Sequence, residues 1–231
     1  MGLLGAGAMT AWWDVASEVT PEFEDWHSHE HMPERLAIPG FLRGSRWIAP
    51  AGSPKYFVLY EVETFDTLTS APYLERLNNP TPWSKQIMRH VRNMTRSLCG
   101  ISGSFGSGVA QTLLTIRLSP AAGEEKRLRT WLMQEALPEL PAKRGMVAAH
   151  LLESKKHTLL SQTQEQKLRG GDAAADWVIL AEGYDSDTVT SLTTAPLSGE
   201  GFESHGASSE RISAVYQLAY ALTSQDVPHD G

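Results

Sequence analysis

The chain has 231 residues, 41% of them hydrophobic and 20% charged, and its net charge at pH 7 is −7. These values are typical of a globular protein with a core, and the negative charge argues against general binding to nucleic acid or to an anionic membrane, since both need a basic surface. The single cysteine, Cys99, excludes an internal disulfide, no apolar run reaches the length of a membrane span, and the apolar N-terminus lacks the basic residues of a signal peptide. We therefore expect a cytoplasmic protein.

The first half of the chain follows the order strand, helix, two strands, helical region and strand. Helix signals are clearest at residues 21–37, which start with Pro21 and early glutamates and are followed by Pro39 and Gly40. Apolar runs bounded by turn residues predict strands. The predicted strands are residues 8–16, 41–49, 55–63 and 96–102, and the predicted helical stretches are residues 21–37, 67–79 and 82–94.

The second half repeats the first. The pattern W-x3-E-x2-PE, which starts at Trp26 and is followed by Gly40, recurs from Trp131 and is followed by Gly145, at a constant offset of 105. Residues 56–70 recur at 177–191, at an offset of 121. Two constant offsets favour an internal duplication, with a first unit at residues 1–104 and a diverged second unit at 105–231. The change of offset places an insertion near residues 155–175, whose polar composition predicts a long loop.

The order βαββαβ in each half is that of the ferredoxin-like unit. Its sheet carries helices on one face only, so its other face must be buried against a second sheet. We therefore predict an α+β protein, in which tandem duplicated ferredoxin-like units form an α/β barrel with antiparallel sheets. Remaining sheet edges and apolar helix faces favour a homo-oligomer, and we expect a dimer.

The stretch WHSHEHMPERLAIPGFLRGSRW at residues 26–47, followed by the strand KYFVLYEVE, resembles the EthD-like branch of the dimeric α/β-barrel superfamily. The resemblance covers residues 9–100, and residues 109–222 look like a diverged second copy. It implies a pocket between the helix and the strands of a half, in which a helix histidine is often an active-site residue. The superfamily includes cofactor-free monooxygenases, muconolactone-type isomerases, polyketide cyclases and dehydratases, and haem-binding enzymes, so the resemblance implies no single reaction.

Three histidines stand close together at positions 27, 29 and 31. His27 and His31 are four residues apart and share a helix face, whereas His29 points away. A metal site is disfavoured, because the sequence offers no matching third and fourth ligands. The second copy retains Glu30 as Glu135 but none of the histidines, so we expect one active pocket, in the first half. The catalytic candidates are His31 as general acid–base, with His27 and Glu30.

Aromatic side chains are dense in the first half and suit a flat, apolar or aromatic small-molecule substrate. Glu61 interrupts an apolar strand, which is typical of a functional or a satisfied carboxylate, and its match to Glu182 favours the structural role. Arg43 and Arg46 are candidate partners for Glu61, for Glu30 or for an anionic group of the substrate. The predicted substrate-binding residues are Trp12, Asp14, Arg46, Tyr60, Glu61 and Trp83.

The sequence thus predicts an enzyme without a bound cofactor or metal, which uses a helix histidine as general acid–base in lyase, dehydratase or isomerase chemistry. Its predicted substrate is an aromatic, lactone or polyketide-like compound. The motifs of nicotinamide, nucleotide and serine-hydrolase chemistry do not occur in the sequence. Three alternatives stay open: a cofactor-free monooxygenase, a haem enzyme of the chlorite-dismutase type with His150, His157 or His205 as iron ligand, and a non-catalytic ligand-binding accessory protein.

Overall fold

The fold is α+β, and the eight strands are hydrogen-bonded in the order β1-β3-β2-β8-β5-β7-β6-β4 as a closed antiparallel barrel. A computed structural model describes residues 2–52, 54–155 and 162–227. The strands are β1 Gly7–Val15, β2 Phe41–Ile48, β3 Tyr56–Val62, β4 Val91–Gly106, β5 Thr112–Pro120, β6 Met146–Ser154, β7 Trp177–Gly183 and β8 Ala207–Thr223. The helices are α1 Thr20–Trp26, α2 Met32–Leu36, α3 Ala71–Asn78, α4 Pro82–Met88, α5 Glu125–Trp131, α6 Gln164–Arg169, α7 Ser186–Ser191 and α8 Gly199–Ser204. The predicted fold class is confirmed.

The chain divides into two compact units that do not follow the two halves of the sequence. Among the described residues, the N-terminal unit comprises residues 4–99, 155–174 and 219–227, and the C-terminal unit comprises residues 2–3, 100–154 and 175–218. The insertion of the second half therefore belongs to the N-terminal unit. It is not a loop throughout, because α6 lies within it and begins at a capping box formed by Thr163 and Gln166. The predicted boundary at residues 104–105 concerns the duplication and stays a prediction.

In the N-terminal unit, β3 lies between β1 and β2 and pairs with both in antiparallel register. Alternate side chains of a strand point to opposite faces of the sheet. One face of β1 and β3 is packed against α1 to α4 and forms the core of this unit with them. The strand residues of this face are Met9, Ala11, Trp13, Tyr56, Val58, Tyr60 and Val62.

In the C-terminal unit, β7 lies between β5 and β6, and β8 pairs with the other edge of β5. In its core, the side chains on the helix-facing side of these strands pack against α5, α7 and α8. The side chains that fill it are mainly leucine, and Leu128, Leu132 and Leu137 have no measurable exposure.

The elements recur at the offsets found in the sequence. The start of β5 follows that of β1 by 105 residues, α5 follows α1 by the same number, and β7 follows β3 by 121. Gly40 and Gly145 both adopt a left-handed backbone, with φ of 88° and 91°. Each lies where an added Cβ would come within 2.8 Å of a threonine hydroxyl, Thr67 in the first copy and Thr188 in the second. The retained glycine therefore serves the same turn in both copies.

Two regions differ from the predicted elements. The helix expected over residues 82–94 ends at Met88, and β4 begins at Val91, because the N–H of His90 closes the last turn on Ile87 and Asn93 adopts a φ of 56°, which no α-helix contains. In the second half, the sequence pattern predicts a less regular region between the strand that starts at Trp177 and residue 209, whereas the structure has α7 and α8 there. Among the described residues, no helix combines the length and apolarity that crossing a membrane requires.

Candidate active site

A cavity of about 50 Å³ lies in the N-terminal unit, between the helices and the helix-facing side of β1 and β3. At 10–15 Å³ per molecule, this is room for roughly three to five water molecules. Aromatic side chains form much of its wall, namely Trp13, Phe23, Trp26, Tyr60 and Tyr73. Its other polar or charged wall residues are His27, His31, Arg35, Arg96, Glu165 and Arg169.

A π-helical turn, His27–His31, places two histidines in this wall. It is closed by the N–H of Met32, which donates to the carbonyl oxygen of His27, five residues earlier. The imidazole rings of His27 and His31 have centroids 5.6 Å apart, and the His31 ring lies 4.4 Å from that of Trp26. Both side chains line the cavity, as their four-residue spacing predicts. Such π-turns are rare and occur frequently at functional sites.

Both histidines are kept in the neutral form. The pKa of His27 lies well below its ordinary value, first because burial removes water from the ring and then because the cations of Arg46 and Arg35 are near. Burial is also the main reason for the lowered pKa of His31, followed by Arg35. Among the described residues, neither nitrogen of His27 nor Nδ1 of His31 has a hydrogen-bond partner. Neutral, buried and unpartnered nitrogens of this kind can accept a proton or a hydrogen bond from a ligand.

Tyr60 and Arg35 add two hydrogen-bond donors to the cavity wall. The Tyr60 hydroxyl is buried without a partner among the described residues, and burial raises its pKa, so it keeps its proton. Arg35 follows His31 by one turn and is 2% exposed. Burial lowers the pKa of Arg35, but the carboxylate of Glu165 and other nearby groups outweigh this and raise it above its ordinary value. The guanidinium is therefore charged.

The insertion contributes the remaining side of the cavity. Glu165 of α6 accepts a hydrogen bond from Nη2 of Arg35, and both side chains are buried. Nη1 of Arg169 lies 3.6 Å from Glu165 Oε2, and Nε of Arg169 donates to Asp172 over 2.7 Å. A segment without a counterpart in the first half of the sequence thus completes the cavity, together with the helix of the first half.

Glu30, a predicted catalytic residue, does not line the cavity. Its Oε1 accepts hydrogen bonds from Trp26 Nε1, Thr81 Oγ1 and Ser84 Oγ, at 3.1, 2.5 and 3.3 Å. Thr81 is also the N-cap of α4 and accepts a hydrogen bond from the Ser84 N–H. Glu30 therefore ties the π-turn to the start of α4, which is a structural position.

Of the six predicted substrate-binding residues, only Tyr60 lines the cavity. Trp12 and Glu61 lie on the opposite face of the sheet, because they alternate with Trp13 and Tyr60 along β1 and β3. Trp12 packs on Phe57 with ring centroids 4.9 Å apart. Glu61 accepts two hydrogen bonds from the guanidinium of Arg43, over 2.6 and 2.9 Å, and one from the Leu4 N–H over 2.6 Å.

The other three predicted binding residues do not line the cavity either. Asp14 accepts a hydrogen bond from the Lys55 N–H at 2.8 Å and one from Asn93 Nδ2 at 3.1 Å. Arg46 donates to Ser28 Oγ at 3.0 Å, and its guanidinium carbon lies 5.6 Å from the Tyr220 ring centroid. The indole N–H of Trp83 donates to Glu22 at 2.7 Å. Arg46 reaches the site only through its charge, which lowers the pKa of His27.

Sequence reasoning missed the cavity residues Trp13, Arg35, Tyr73, Arg96, Glu165 and Arg169. The alternation of side chains along β1 could have predicted Trp13, since Met9, Ala11 and Trp13 are two residues apart and form one apolar face. Arg35 stands one turn after His31, so helical spacing could also have found it. Nothing in the local sequence signals Glu165 or Arg169, because they come from a polar insertion far along the chain.

The residues that the structure describes contain no group of three or more histidine, cysteine, aspartate or glutamate side chains arranged to hold a metal ion. For a haem, the sequence offers His150, His157 and His205, of which His157 lies outside the described residues. The ring of His150 is enclosed in the C-terminal unit: an added Cβ at Gly2 would lie 2.7 Å from its Cε1. Its Nδ1 lies 2.9 Å from Ser104 Oγ and its Nε2 lies 3.7 Å from Glu182 Oε1, which leaves no room for iron and a porphyrin.

His205 lies in an open groove of the C-terminal unit. Its ring stacks on Trp131 with centroids 4.2 Å apart, and its Nδ1 lies 2.7 Å from the carbonyl oxygen of Gly201. The groove is lined by charged side chains such as Lys126 and Glu135, whereas a porphyrin face needs an apolar slot. The two described histidines of this set, His150 and His205, therefore do not fit as ligands of a haem.

Solved structures share this architecture along nearly the whole chain. An anthrone oxidase-like protein matches with a TM-score of 0.65 and 11% identity, over 97% of this chain and 95% of its own. A monooxygenase candidate from Fusobacterium nucleatum subsp. nucleatum matches with a TM-score of 0.57 and 7% identity, over 96% of both chains. The chain has the ferredoxin-like α/β-barrel fold.

A mutant chlorite dismutase from Candidatus Nitrospira defluvii shares the fold at a TM-score of 0.51 and 12% identity, over 94% of this chain and 91% of its own. No family model and no curated protein sequence matches the chain. The ferredoxin-like barrel predicted from the sequence is thus confirmed as the fold of this chain, whereas its assignment to the EthD-like branch stays a prediction.

Proposed function

We propose that the chain is a small-molecule enzyme that removes a proton from a flat aromatic or polyketide-like substrate bound against the π-turn. The observation that carries this proposal is a pair of neutral histidines in an aromatic-lined cavity, the buried His27 and the partly buried His31, with buried ring nitrogens that have no partner among the described residues. Histidine in its neutral form is the usual general base near neutral pH.

His31 is the proposed base, with His27 as its neighbour in the same wall. Nδ1 of His31 accepts the substrate proton, and the Tyr60 hydroxyl, which keeps its own proton, donates a hydrogen bond to the oxygen on which negative charge develops. The cation of Arg35 stabilises the same charge in surroundings from which water is largely excluded, where such an interaction is strong. The chain's own side chains thus supply a base, a donor and a counter-charge.

Two reaction classes start from this proton transfer. In a lyase, dehydratase or isomerase, the electron pair of the carbanion expels a leaving group or moves a double bond, and the proton held by His31 is returned to the leaving group or to another carbon. In an oxygenase, the carbanion transfers one electron to dioxygen, the two radicals combine to form a peroxide on the substrate carbon, and the peroxide takes the proton held by His31 and loses water to leave a carbonyl group. The likeness in fold to an anthrone oxidase-like protein and to a monooxygenase candidate favours the second class as an alternative.

The deciding experiment follows a panel of anthrone, naphthols and hydroxylated lactones by mass spectrometry, with oxygen uptake recorded at an electrode. Product formation without oxygen uptake supports the first class, and equimolar oxygen uptake supports the second. His31→Ala should lower kcat by a factor of 10² or more, the usual contribution of a general base. His29→Ala is the matched control, since His29 is exposed and its Nδ1 lies 3.0 Å from the Asp25 carbonyl oxygen.

Full activity in His31→Ala and His27→Ala would refute the histidine assignment. Binding of panel compounds without turnover would favour the alternative of a non-catalytic accessory protein, and a Soret band in the purified protein would contradict the cofactor-free mechanism. Because both pKa values are lowered, the acid limb of kcat/KM should lie below pH 6.5, the ordinary histidine pKa.

We also propose that the chain forms a homodimer. Tyr184 and Ile212 are large side chains of the C-terminal unit with 64% and 54% of their surface exposed. Light scattering on the purified protein measures the assembly directly, and a monomeric mass at micromolar concentration would refute it.

A further inference from the structure

The cavity is closed on one side by α6, whose attachment differs from that of the other walls. Glu165 is the one residue of α6 that is fully buried, and Leu168 is only partly buried against the core. The helix packs on α3 and α4, and the Gln164 N–H donates to Asn78 Oδ1 over 3.2 Å. The remaining walls are strands and helices whose apolar side chains form the core. Polar contacts therefore hold α6 in place, and it is the wall that costs least to move.

The segment after α6 contains a pivot. Gly170 and Gly171 both adopt left-handed backbone conformations, with φ of 85° and 95°. Directly beyond them, Ala173 is fixed to β4, because its N–H donates to Met94 and its carbonyl accepts from the Arg96 N–H. A helix that ends at two glycines and is anchored just behind them can change its angle with little disturbance of the sheet.

The cavity in this closed form is too small for an aromatic ligand. Pockets that bind drug-sized molecules have volumes of about 300–1,000 Å³, against about 50 Å³ here. Ligand entry therefore requires a wall to move, and displacement of α6 removes Glu165 from the guanidinium of Arg35.

Arg35 has unused capacity for an anion. Its Nη2 donates to Glu165, whereas its Nη1 is buried and makes no hydrogen bond within the described residues; the nearest ion-pair contact of Nη1 is Glu34 Oε2 at 3.5 Å. A guanidinium can bind a carboxylate through two parallel N–H donors. The buried carboxylate of Glu165 thus stands where an anionic group of a ligand would be bound.

We propose that Arg35 is the binding site for a negatively charged group of the ligand, a carboxylate or an enolate or phenolate oxygen, and that Glu165 on α6 is an internal competitor for this site. The inference deepens the proposed function and rests on the same cavity being the ligand site. When the ligand anion binds, Glu165 leaves with α6 and remains next to Arg169, its other cationic neighbour. The buried guanidinium is then neutralised in the open form as well as in the closed form.

The test compares 2-naphthoate with 2-naphthamide, which has the same ring system and nearly the same shape but no charge, by isothermal titration calorimetry at pH 7.5. In Glu165→Gln the competitor loses its charge but keeps its shape. We expect 2-naphthoate to bind at least tenfold more tightly to this variant than to the unaltered protein, and the affinity for 2-naphthamide to change less than threefold. In the double variant Arg35→Gln/Glu165→Gln, which leaves neither charge buried alone, the gain for 2-naphthoate should disappear.

Glu153→Gln is the matched control, because it neutralises one partner of another Arg–Glu pair, with Arg129 in the C-terminal unit, and should leave both affinities unchanged. Weaker or unchanged 2-naphthoate binding in Glu165→Gln overturns the inference, as does no binding at all. An equal gain for both compounds also overturns it, since that result means a loosened wall without an anion site. The binding result does not depend on turnover. If 2-naphthoate gains tenfold in Glu165→Gln but His31→Ala keeps full activity, the anion site stands and the proposed role of His31 fails. If Glu165→Gln shows no gain but His31→Ala loses activity, the anion site fails and the role of His31 stands.

Discussion

Acidification should destabilise this protein through His27 and His31 before most carboxylates titrate. Both pKa values are lowered in the folded protein, chiefly by burial. The unfolded chain, with ordinary histidine pKa values, therefore binds more protons than the folded protein once the pH falls below about 6.5. Stability contributed by the neutral rings is fully present above this pH and is lost as the pH falls towards the folded-state pKa values.

The size of the effect follows from linkage. A ring that stays neutral in the folded protein costs about 1.4 kcal/mol per pH unit below about 6.5, so at pH 5.5 the pair lowers the free energy of unfolding by at most about 2.8 kcal/mol relative to pH 7.5. In urea, with an m-value of about 2–3 kcal/mol/M, this shifts the unfolding midpoint by roughly 1 M. Glu34, whose pKa is raised by burial, contributes with the opposite sign, because its carboxyl takes up a proton more readily in the folded protein than in the unfolded chain.

The assay is urea unfolding followed by tryptophan fluorescence at pH 7.5 and pH 5.5. His27→Phe suits the aromatic surroundings of that ring, which lies 5.6 Å from Phe23, and it should remove about half of the acid-induced loss. The exposed His29, replaced by Gln, should leave the loss unchanged. Equal acid sensitivity in His27→Phe and the unaltered protein would show that burial of this ring does not set its protonation, and the reasoning would be wrong.

Three further predictions concern the scaffold. Gly40→Ala should lower the free energy of unfolding by about 1–3 kcal/mol, because φ is 88° and the new Cβ would come within 2.7 Å of Thr67 Oγ1; chemical denaturation measures this, and a neutral effect would contradict the strained turn. Glu61→Leu should lower the free energy of unfolding by about 3–5 kcal/mol, because it leaves the Arg43 cation in a partly buried site without its carboxylate. Replacing Arg43 by Met in the same chain should restore much of this loss. If the effects of the two substitutions are simply additive, the structural role of the pair is wrong. Cys99 is buried and burial raises its pKa to about 12, so it should react with a thiol reagent only after unfolding in urea; rapid labelling of the native protein would disprove its burial.

The fold was largely accessible from sequence because the repeat acts as an internal comparison. The two offsets align the strands and helices of one half with those of the other. An element that is predicted from its local pattern in one half is therefore also predicted at the matching position of the other half. The end of α4 was missed because Val91 continues an apparent helical pattern, whereas the left-handed Asn93 that breaks it has no strong sequence signature. Helix α6 was missed because it is short and lies in a polar segment whose packing partners are distant in sequence.

The candidate site was only partly accessible. The two histidines were found because spacing along one helix is a local property. Trp12 and Glu61 were selected for their residue type alone. Each is next in sequence to a residue that lines the cavity, Trp13 and Tyr60, and adjacent residues of a strand point to opposite faces of the sheet, so Trp12 and Glu61 point away from the cavity. The pairing of Arg35 with Glu165 spans 130 residues and depends on how the insertion docks, which no local pattern encodes.

Matching π-turns in the two halves bear on the predicted duplication. A π-turn corresponds to one extra residue within a helix, and it occupies His27–His31 in the first half and Leu132–Ala136 in the second, at the same offset as the surrounding elements. This match is what the duplication hypothesis requires of an irregularity that was present in a single ancestral unit. The histidines and the segment carrying α6 occur in one half only, so under the same hypothesis they arose later. The irregular helix borders a cavity with polar side chains in the first half and a leucine-rich core in the second.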